Sequence, residues 1–307
     1  MNNIWVTGDA GVDLIPDGES RYLKCPGGAP ANVAVAISRL GGSVSFFGRV
    51  GRDPLGHFMK QKLEQEGVNT EHMHLDEKKR TSTVIVGLDD SGERSFTFMV
   101  KPSADQFFTT HDIPKFDSHS WMHCCSIALA RDPSRSATFE SMKRIKASGG
   151  FVSFDPNIRE EVWPDQDEIE KTVIKAVELA DVVKFSEEEI LFLTKTQTLE
   201  DALATFEQSE KLVVITLGAK GTLALFNGEQ KFVPSSKVDH VIDTTGAGDA
   251  FVGGLLARLS QTENWRTWNE IIPAIQWGNQ CGALTTTKKG AMTALPSLEL
   301  VSSFINI

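Results

Sequence analysis

Short, mostly apolar runs alternate along this chain with longer amphipathic ones. Residues 4–8, 44–50, 121–125, 151–155, 182–185 and 212–217 are built largely from Val, Ile, Leu, Phe and Trp. Runs of that length suit strands buried on both faces. Residues 30–40, 54–66, 134–147, 167–179 and 187–193 read as helices between them. In the first, Val33, Ile37 and Leu40 fall at helical spacing, and Gly41-Gly42 supplies the stop. The segment after Asp249 is apolar through residue 259, and a last helix is expected near 268–284. This alternation predicts an α/β fold, a doubly wound and mostly parallel sheet with helices on both faces. Two stretches depart from it. Residues 11–22 are short, mixed and rich in turn formers. Residues 81–88 and 94–100 are β-rich around Asp89-Asp90-Ser91-Gly92, which marks a hairpin. Such a hairpin is either a lid over a pocket or an extra edge ribbon.

Length and charge narrow the picture. The 307 residues suit one large α/β domain, and no internal repeat divides them. The net charge of -10 disfavours nucleic acid and anionic membranes as partners. Cys25, Cys124, Cys125 and Cys281 form no C-x-x-C pair, which fits free thiols in a reducing compartment. The N-terminus lacks the basic start and apolar core of a signal peptide, and no run reaches the roughly 18 apolar residues of a membrane span. The expected location is the cytoplasm.

The strongest chemical signal is Asp243-Thr244-Thr245-Gly246-Ala247-Gly248-Asp249 at the start of an apolar helix. Small residues leave the backbone N–H groups open, and a helix N-terminus attracts phosphate. Asp249, at that same start, can accept a proton from a nearby hydroxyl, which is most of what phosphoryl transfer asks of a side chain. It can equally be an N-cap aspartate. A second cluster, Gly27-Gly28-Ala29-Pro30-Ala31-Asn32, allows close backbone approach to a ligand and adds an amide on the first helical turn. Asp13 follows the first strand, where α/β ligands bind; a solvated loop residue after a tight turn is the other reading.

Three weaker clusters sit at further strand ends. Thr216-Leu217-Gly218-Ala219-Lys220-Gly221 is glycine-rich but lacks Walker A spacing, and it also fits a hairpin turn. Asp155-Pro156-Asn157-Ile158-Arg159 offers Arg159 to a phosphate or sugar oxygen. Glu187, Glu188 and Glu189, after Lys184-Phe185-Ser186, can hold Mg²⁺ through water or serve as first-turn acids. Together the clusters suggest one phosphate-and-polyol site. His72 and His74 are expected in solvent, residues 76–80 in a solvated turn, and Trp5, Trp121, His123, Cys124 and Cys125 in the core.

The Gly27–Asn32 and Asp243–Asp249 motifs resemble the two signatures of the ribokinase-like (PfkB) carbohydrate kinases, in order and spacing over essentially the whole chain. Asp155–Arg159, residues 184–189 and Gly92-Glu-Arg-Ser-Phe-Thr-Phe98 are most similar to the bacterial fructokinase branch. The resemblance implies one kinase domain over residues 1–307, with a β lid from about 11–23 and 81–100, acting on ATP and D-fructose. It implies Asp249 as base and Gly246, Ala247 and Gly248 as anion hole. Gly11, Asp13, Gly28, Asn32, Ser126 and Arg159 would line the sugar site, and Ser186, Thr216, Gly218, Gly221, Gly248 and Asn279 the nucleotide site. Ser186 and Glu189 stand where the family has Asn-x-x-Glu, which governs Mg²⁺. Asp243, Thr245, Thr285, Lys288 and Gly290 would bind K⁺ through main-chain oxygens, and Ala294 replaces a serine ligand of some relatives. The resemblance also allows a homodimer through the lid.

Alternative acceptors on the same scaffold are aminoimidazole riboside, with Phe96, Phe98 and Met99 as a wall for its base, ribose or a keto-deoxy sugar acid. A sugar sensor without catalysis is disfavoured by the intact Asp249 and glycines. A nicotinamide enzyme is disfavoured because Gly8-Asp9-Ala10-Gly11 lacks G-x-G-x-x-G spacing.

Overall fold

The computed structural model describes residues 2–88, 94–262 and 264–304. Its first strand, β1 (Ile4–Thr7), runs into a ribbon of β2 (Gly11–Pro16) and β3 (Tyr22–Gly27) before the first helix, α1 (Ala29–Arg39). Then come β4 (Val44–Gly51), α2 (Pro54–Gln65), β5 (Met73–Asp76), β6 (Thr83–Leu88) and β7 (Arg94–Phe98). A regular succession follows: β8 (Trp121–Cys125), α3 (Ser134–Ala147), β9 (Phe151–Asp155), α4 (Ile169–Leu179), β10 (Val182–Ser186), α5 (Glu187–Thr194), α6 (Leu199–Ala204) and β11 (Leu212–Thr216). The chain ends with β12 (Gly221–Phe226), β13 (Glu229–Pro234), α7 (Ala247–Leu259), α8 (Trp268–Thr285) and α9 (Leu298–Phe304).

Nine strands form the main sheet in the order β13-β12-β11-β10-β9-β8-β1-β4-β5, parallel except for the antiparallel β11–β12–β13 edge. Alternate residues of its strands feed two cores. Ile4, Val6, Val182, Leu212 and Val214 pack with α1, α7 and α8. Trp5, Val183, Val213 and Ile215 pack with α3, α4, α5 and α6. Both faces are therefore covered, which is why these strands read as continuous apolar runs. The chain leaves β1 toward β4 on one side and returns to β8 on the other. That reversal opens a crevice at the carboxyl ends of the strands, the usual place for a ligand. Among the described residues no helix is long and apolar enough to cross a membrane.

The second sheet has the order β3-β2-β6-β7. It joins the two irregular stretches of the sequence, with β2 and β6 pairing in parallel. Its first ribbon runs to Gly27, beyond the expected boundary, because Pro26 pairs with Val12 in a strand that carries no β-branched residue. The turn expected at Asp89-Asp90-Ser91-Gly92 lies outside the described residues. Four short elements were not anticipated: β5, the β12–β13 hairpin, α6 and α9. Strand β5, Met-His-Leu-Asp, is too short and polar to show a strand pattern.

Candidate active site

Two glycine-capped helix starts and the charged ends of β9 and β10 converge on one cleft of about 1200 Å³, roofed by Ile15, Val84, Phe96 and Phe98 of the four-stranded sheet. The floor begins at Gly28, the N-cap of α1, with φ of 97°. A side chain there would be strained by backbone conformation, and its Cβ would stand 2.5 Å from the Asp9 carbonyl oxygen. Glycine thus lets α1 start against the loop that follows β1. Asn32, on the first turn, is 4% exposed. Its Nδ2 donates to Oδ2 of Asp249 at 2.8 Å.

Asp249 lies on the first turn of α7, whose N-cap Gly246 has φ of 79° and supplies no side-chain cap. The first N–H groups of a helix have no partner inside it, so Gly248 and Asp249 present donors where they line the cleft. The N–H of Ala247 instead bonds the Thr244 carbonyl at 3.2 Å, and Ala247 does not line the cleft. Of the three residues expected in the anion hole, Gly246 and Gly248 line the cleft. Asp243 fixes the approach: its Oδ1 accepts from the Thr245 N–H at 3.0 Å and hydroxyl at 2.7 Å, and its Oδ2 from the Gly290 N–H at 2.7 Å. One carboxylate thereby draws two loops to the start of α7.

The far wall is charged. Lys184 of β10 donates to Oδ1 and Oδ2 of Asp155, at the end of β9, at 3.2 and 3.0 Å. Arg159 and Glu189 line the same wall. Glu189 closes a capping box with Ser186 and also accepts the Ile158 N–H at 3.0 Å. Of the three successive glutamates only Glu189 reaches the cleft, because Glu187 and Glu188 point off other sides of the first turn of α5. Burial pushes the Asp249 carboxyl up to about 6, opposed by the Asn32 hydrogen bond and the Lys184 and Arg159 charges. Burial, with the charge of Asp105, pushes neighbouring Asp9 up to about 7. Asp249 is therefore a carboxylate at neutral pH yet more basic than an ordinary one.

Gly11, Asp13, Gly28, Asn32, Arg159, Ser186, Glu189, Asp243, Thr245, Gly246, Gly248, Asp249 and Gly290 all line this cleft. Other expected residues do not. Ser126 is fully buried, its hydroxyl without a partner among the described residues, and the next residue, Ile127, lines the cleft. Thr216, Gly218 and Gly221 form the turn of the β11–β12 hairpin, with Thr216 abreast of Ser186 in register. Asn279 is turned inward: its Nδ2 donates to the Val233 and Pro234 carbonyls, and its Oδ1 accepts from the Thr222 hydroxyl. Its amide holds β13 to α8 rather than facing the cleft. Thr285 is buried and Lys288 lies outside the lining, which includes Lys289. Asp9, Asp155 and Lys184 line the cleft although the sequence did not single them out as site residues. A lysine inside the apolar run of β10 was the available signal.

A pfkB family carbohydrate kinase model matches residues 1–298. The chain is 59% identical to the fructokinase of Vibrio alginolyticus over 306 residues, 99% of each protein. It is 41% identical to the aminoimidazole riboside kinase of Salmonella typhimurium over 307 residues, 100% of this chain and 96% of that one. A double mutant of Vibrio cholerae O395 fructokinase, solved with fructose, ADP and potassium ion, superposes with a TM-score of 0.95 at 59% identity, covering 99% of this chain and 98% of that one.

Proposed function

The chain belongs to the pfkB family of carbohydrate kinases, and from that premise we propose that it transfers the γ-phosphoryl group of ATP to a primary hydroxyl of D-fructose, giving fructose 6-phosphate. The observation that carries the reaction is the Asp249 carboxylate held by Asn32 on the open first turn of α7. In the reaction the sugar hydroxyl oxygen bonds to the γ-phosphorus, its proton passes to Asp249, and the bond from phosphorus to the departing ADP oxygen breaks. The N–H groups of Gly248 and Asp249 face the phosphoryl oxygens, where fixed donors stabilise developing charge. Asp13, Gly28 and Arg159, with Gly11 beside them, hold the sugar, and Asn32 orients the base. The nucleotide extends past Ser186 toward the Thr216–Gly221 hairpin. Acceptor choice rests on the resemblance to fructokinases.

Two cations fit this frame. Glu189, with each oxygen fixed by a main-chain N–H, keeps lone pairs for a water of hydrated Mg²⁺. Asp243 ties residues 245 and 290 together beside the start of α7, and main-chain oxygens of residues 243, 245 and 290 would supply the oxygen-only donor set that suits K⁺. Bound there, the cations would offset phosphate charge. The whole chain, 1–307, acts as one kinase domain. The four-stranded sheet is its lid, and the exposed Tyr22, Leu23, Phe96 and Met99 give that lid an apolar face for a second copy. The four cysteines form no disulfide among the described residues, which accords with the cytoplasm.

A second reading, phosphorylation of aminoimidazole riboside, is favoured by Phe96 and Phe98 lining the roof, where a heterocycle can stack. A coupled ADP-release assay with ATP, Mg²⁺ and K⁺ separates them, using fructose, ribose, glucose, a keto-deoxy sugar acid and aminoimidazole riboside. Preferential turnover of fructose supports the first reading. Turnover of another acceptor keeps the chemistry and discards fructose, and sugar binding without ADP release discards the kinase.

A further inference from the structure

Strand β10 carries one cation in an otherwise apolar core run, Val182-Val183-Lys184-Phe185. Lys184 is 9% exposed and Asp155 2%. Burying such a pair costs desolvation that its attraction often fails to recover, so stability is a weak reason for it. Its surroundings supply a better one. A Cβ built on Gly248 would stand 3.4 Å from the Lys184 Nζ, so the ammonium overlooks the first turn of α7. Lys184, Gly248 and Asp249 all line the cleft. An ammonium has three donors, and two are directed at the oxygens of Asp155. Burial opposes the charge, but the Asp155 and Glu189 carboxylates hold the lysine above its ordinary pKa. Lys184 is therefore a fixed cation within reach of any anion seated on the Gly248 and Asp249 N–H groups.

The geometry points to Lys184 as a catalytic residue of the phosphoryl transfer, its ammonium touching an oxygen of the group in flight, with Asp155 as its positioning residue. This rests on the kinase function proposed above. Lys184 stays protonated throughout, since the hydroxyl proton goes to Asp249, and its charge matters most as the phosphoryl leaves ADP. Gly248 keeps the space between ammonium and phosphoryl clear.

The test compares the full-length chain with Lys184→Gln, which leaves a donor for Asp155, and with a Lys184→Met/Asp155→Asn double variant, which leaves no buried charge unpaired. Steady-state kinetics, thermal melting, and fructose and ADP binding would be measured. So would the tightening of ADP by aluminium fluoride in the presence of fructose, a mimic of the planar phosphoryl. Turnover is expected to fall by 100-fold or more in both variants. Binding of fructose and ADP stays within about threefold, and the aluminium fluoride tightening is lost. A folded variant turning over within fivefold of the parent, or retaining that tightening, overturns the assignment. A parent chain inactive on every sugar would sink the kinase reading and this role with it. An active parent beside an equally active double variant sinks the lysine role alone.

Discussion

The side-chain amide of Asn32 and the carboxylate of Asp249 meet at 2.8 Å although 217 residues separate them along the chain. Each lies on the first turn of a helix that begins at a glycine, Gly28 for α1 and Gly246 for α7. The Asp249 carboxylate, the base of the reaction proposed above, is therefore oriented from the helix that carries Asn32. The Asn32 Oδ1 is buried with no partner among the described residues, so the bond to Asp249 is the side-chain contact that fixes this amide.

Replacing Asp249 by Ala removes the proton acceptor while leaving the helix N-terminus intact. General-base catalysis contributes about 10²- to 10⁴-fold, so kcat should fall by at least 100-fold with sugar binding retained. A variant within about tenfold of the parent, roughly 1.4 kcal/mol of barrier, would show that another group takes the proton.

The same carboxylate sets the pH profile. A base must be deprotonated, so kcat/KM should be full above the Asp249 pKa of about 6 and decline as pH falls through it. Asn32→Ala removes a hydrogen bond that favours the carboxylate, so the acid limb should move to higher pH. An unmoved limb in that variant would detach it from Asp249.

Gly246→Ala should damage both stability and turnover. The residue has φ of 79°, where a Cβ costs about 1–2 kcal/mol. That Cβ would also stand 2.7 Å from the Ala291 Cβ, on the loop that Asp243 ties back. Melting should drop by several degrees, and kcat should fall more than the lost folded fraction explains. Circular dichroism and steady-state kinetics together check this.

Asp53 offers a stability prediction away from the chemistry. As N-cap of α2 it accepts the N–H groups of Leu55 and Gly56, and it also takes the N–H and hydroxyl of Thr81 just before β6. Burial opposes its charge, but these bonds hold its pKa below the ordinary value. A lowered folded pKa contributes stability above the unfolded pKa, and that contribution is lost as pH falls through the folded one. Asp53→Ala should cost about 2 kcal/mol at neutral pH, and the deficit should shrink below about pH 4, the ordinary aspartate range. Urea melts at both pH values read it directly.

Phe98 tests the roof. It lines the main cleft and also an adjoining cavity of about 200 Å³. Phe98→Ala should raise the fructose KM several-fold and increase ADP release without sugar, because the opened roof admits water as the acceptor. Unchanged coupling would mean that this ring does not shield the reaction.

Much of the fold was legible in the order of residues alone. The parallel sheet was readable because Val182, Val183 and Val213 are buried whichever face they take, and burial on both faces leaves an unbroken apolar run. Asp249 and Asn32 drew notice in the sequence because each follows glycines that serve local backbone geometry at a helix start. Lys184 stands out in its apolar run, but its pairing with Asp155 was hidden, since β9 and β10 come together only in the folded sheet. Asn279 was named by the resemblance alone, and no pattern around it shows that its amide bonds main-chain carbonyls of β13. Ser126 was expected in the sugar site, but which of two successive side chains faces the cleft depends on the 3₁₀ turn that begins there.

The β2–β3 ribbon ends at Gly27 and α1 begins at Ala29, so only Gly28 separates the four-stranded sheet from the helix that carries Asn32. That shortness constrains inheritance as well as mechanics. An inserted or deleted codon between 27 and 32 would rotate Asn32 off Asp249 by about 100° of helix, and no neighbouring loop could absorb the change. The turn at 17–21 is largely exposed and closed by one main-chain bond from Asp17 to Arg21. It can lengthen or shorten without being felt at the base. Length variation in the front third of this gene should accumulate at that turn and be purged a few codons later.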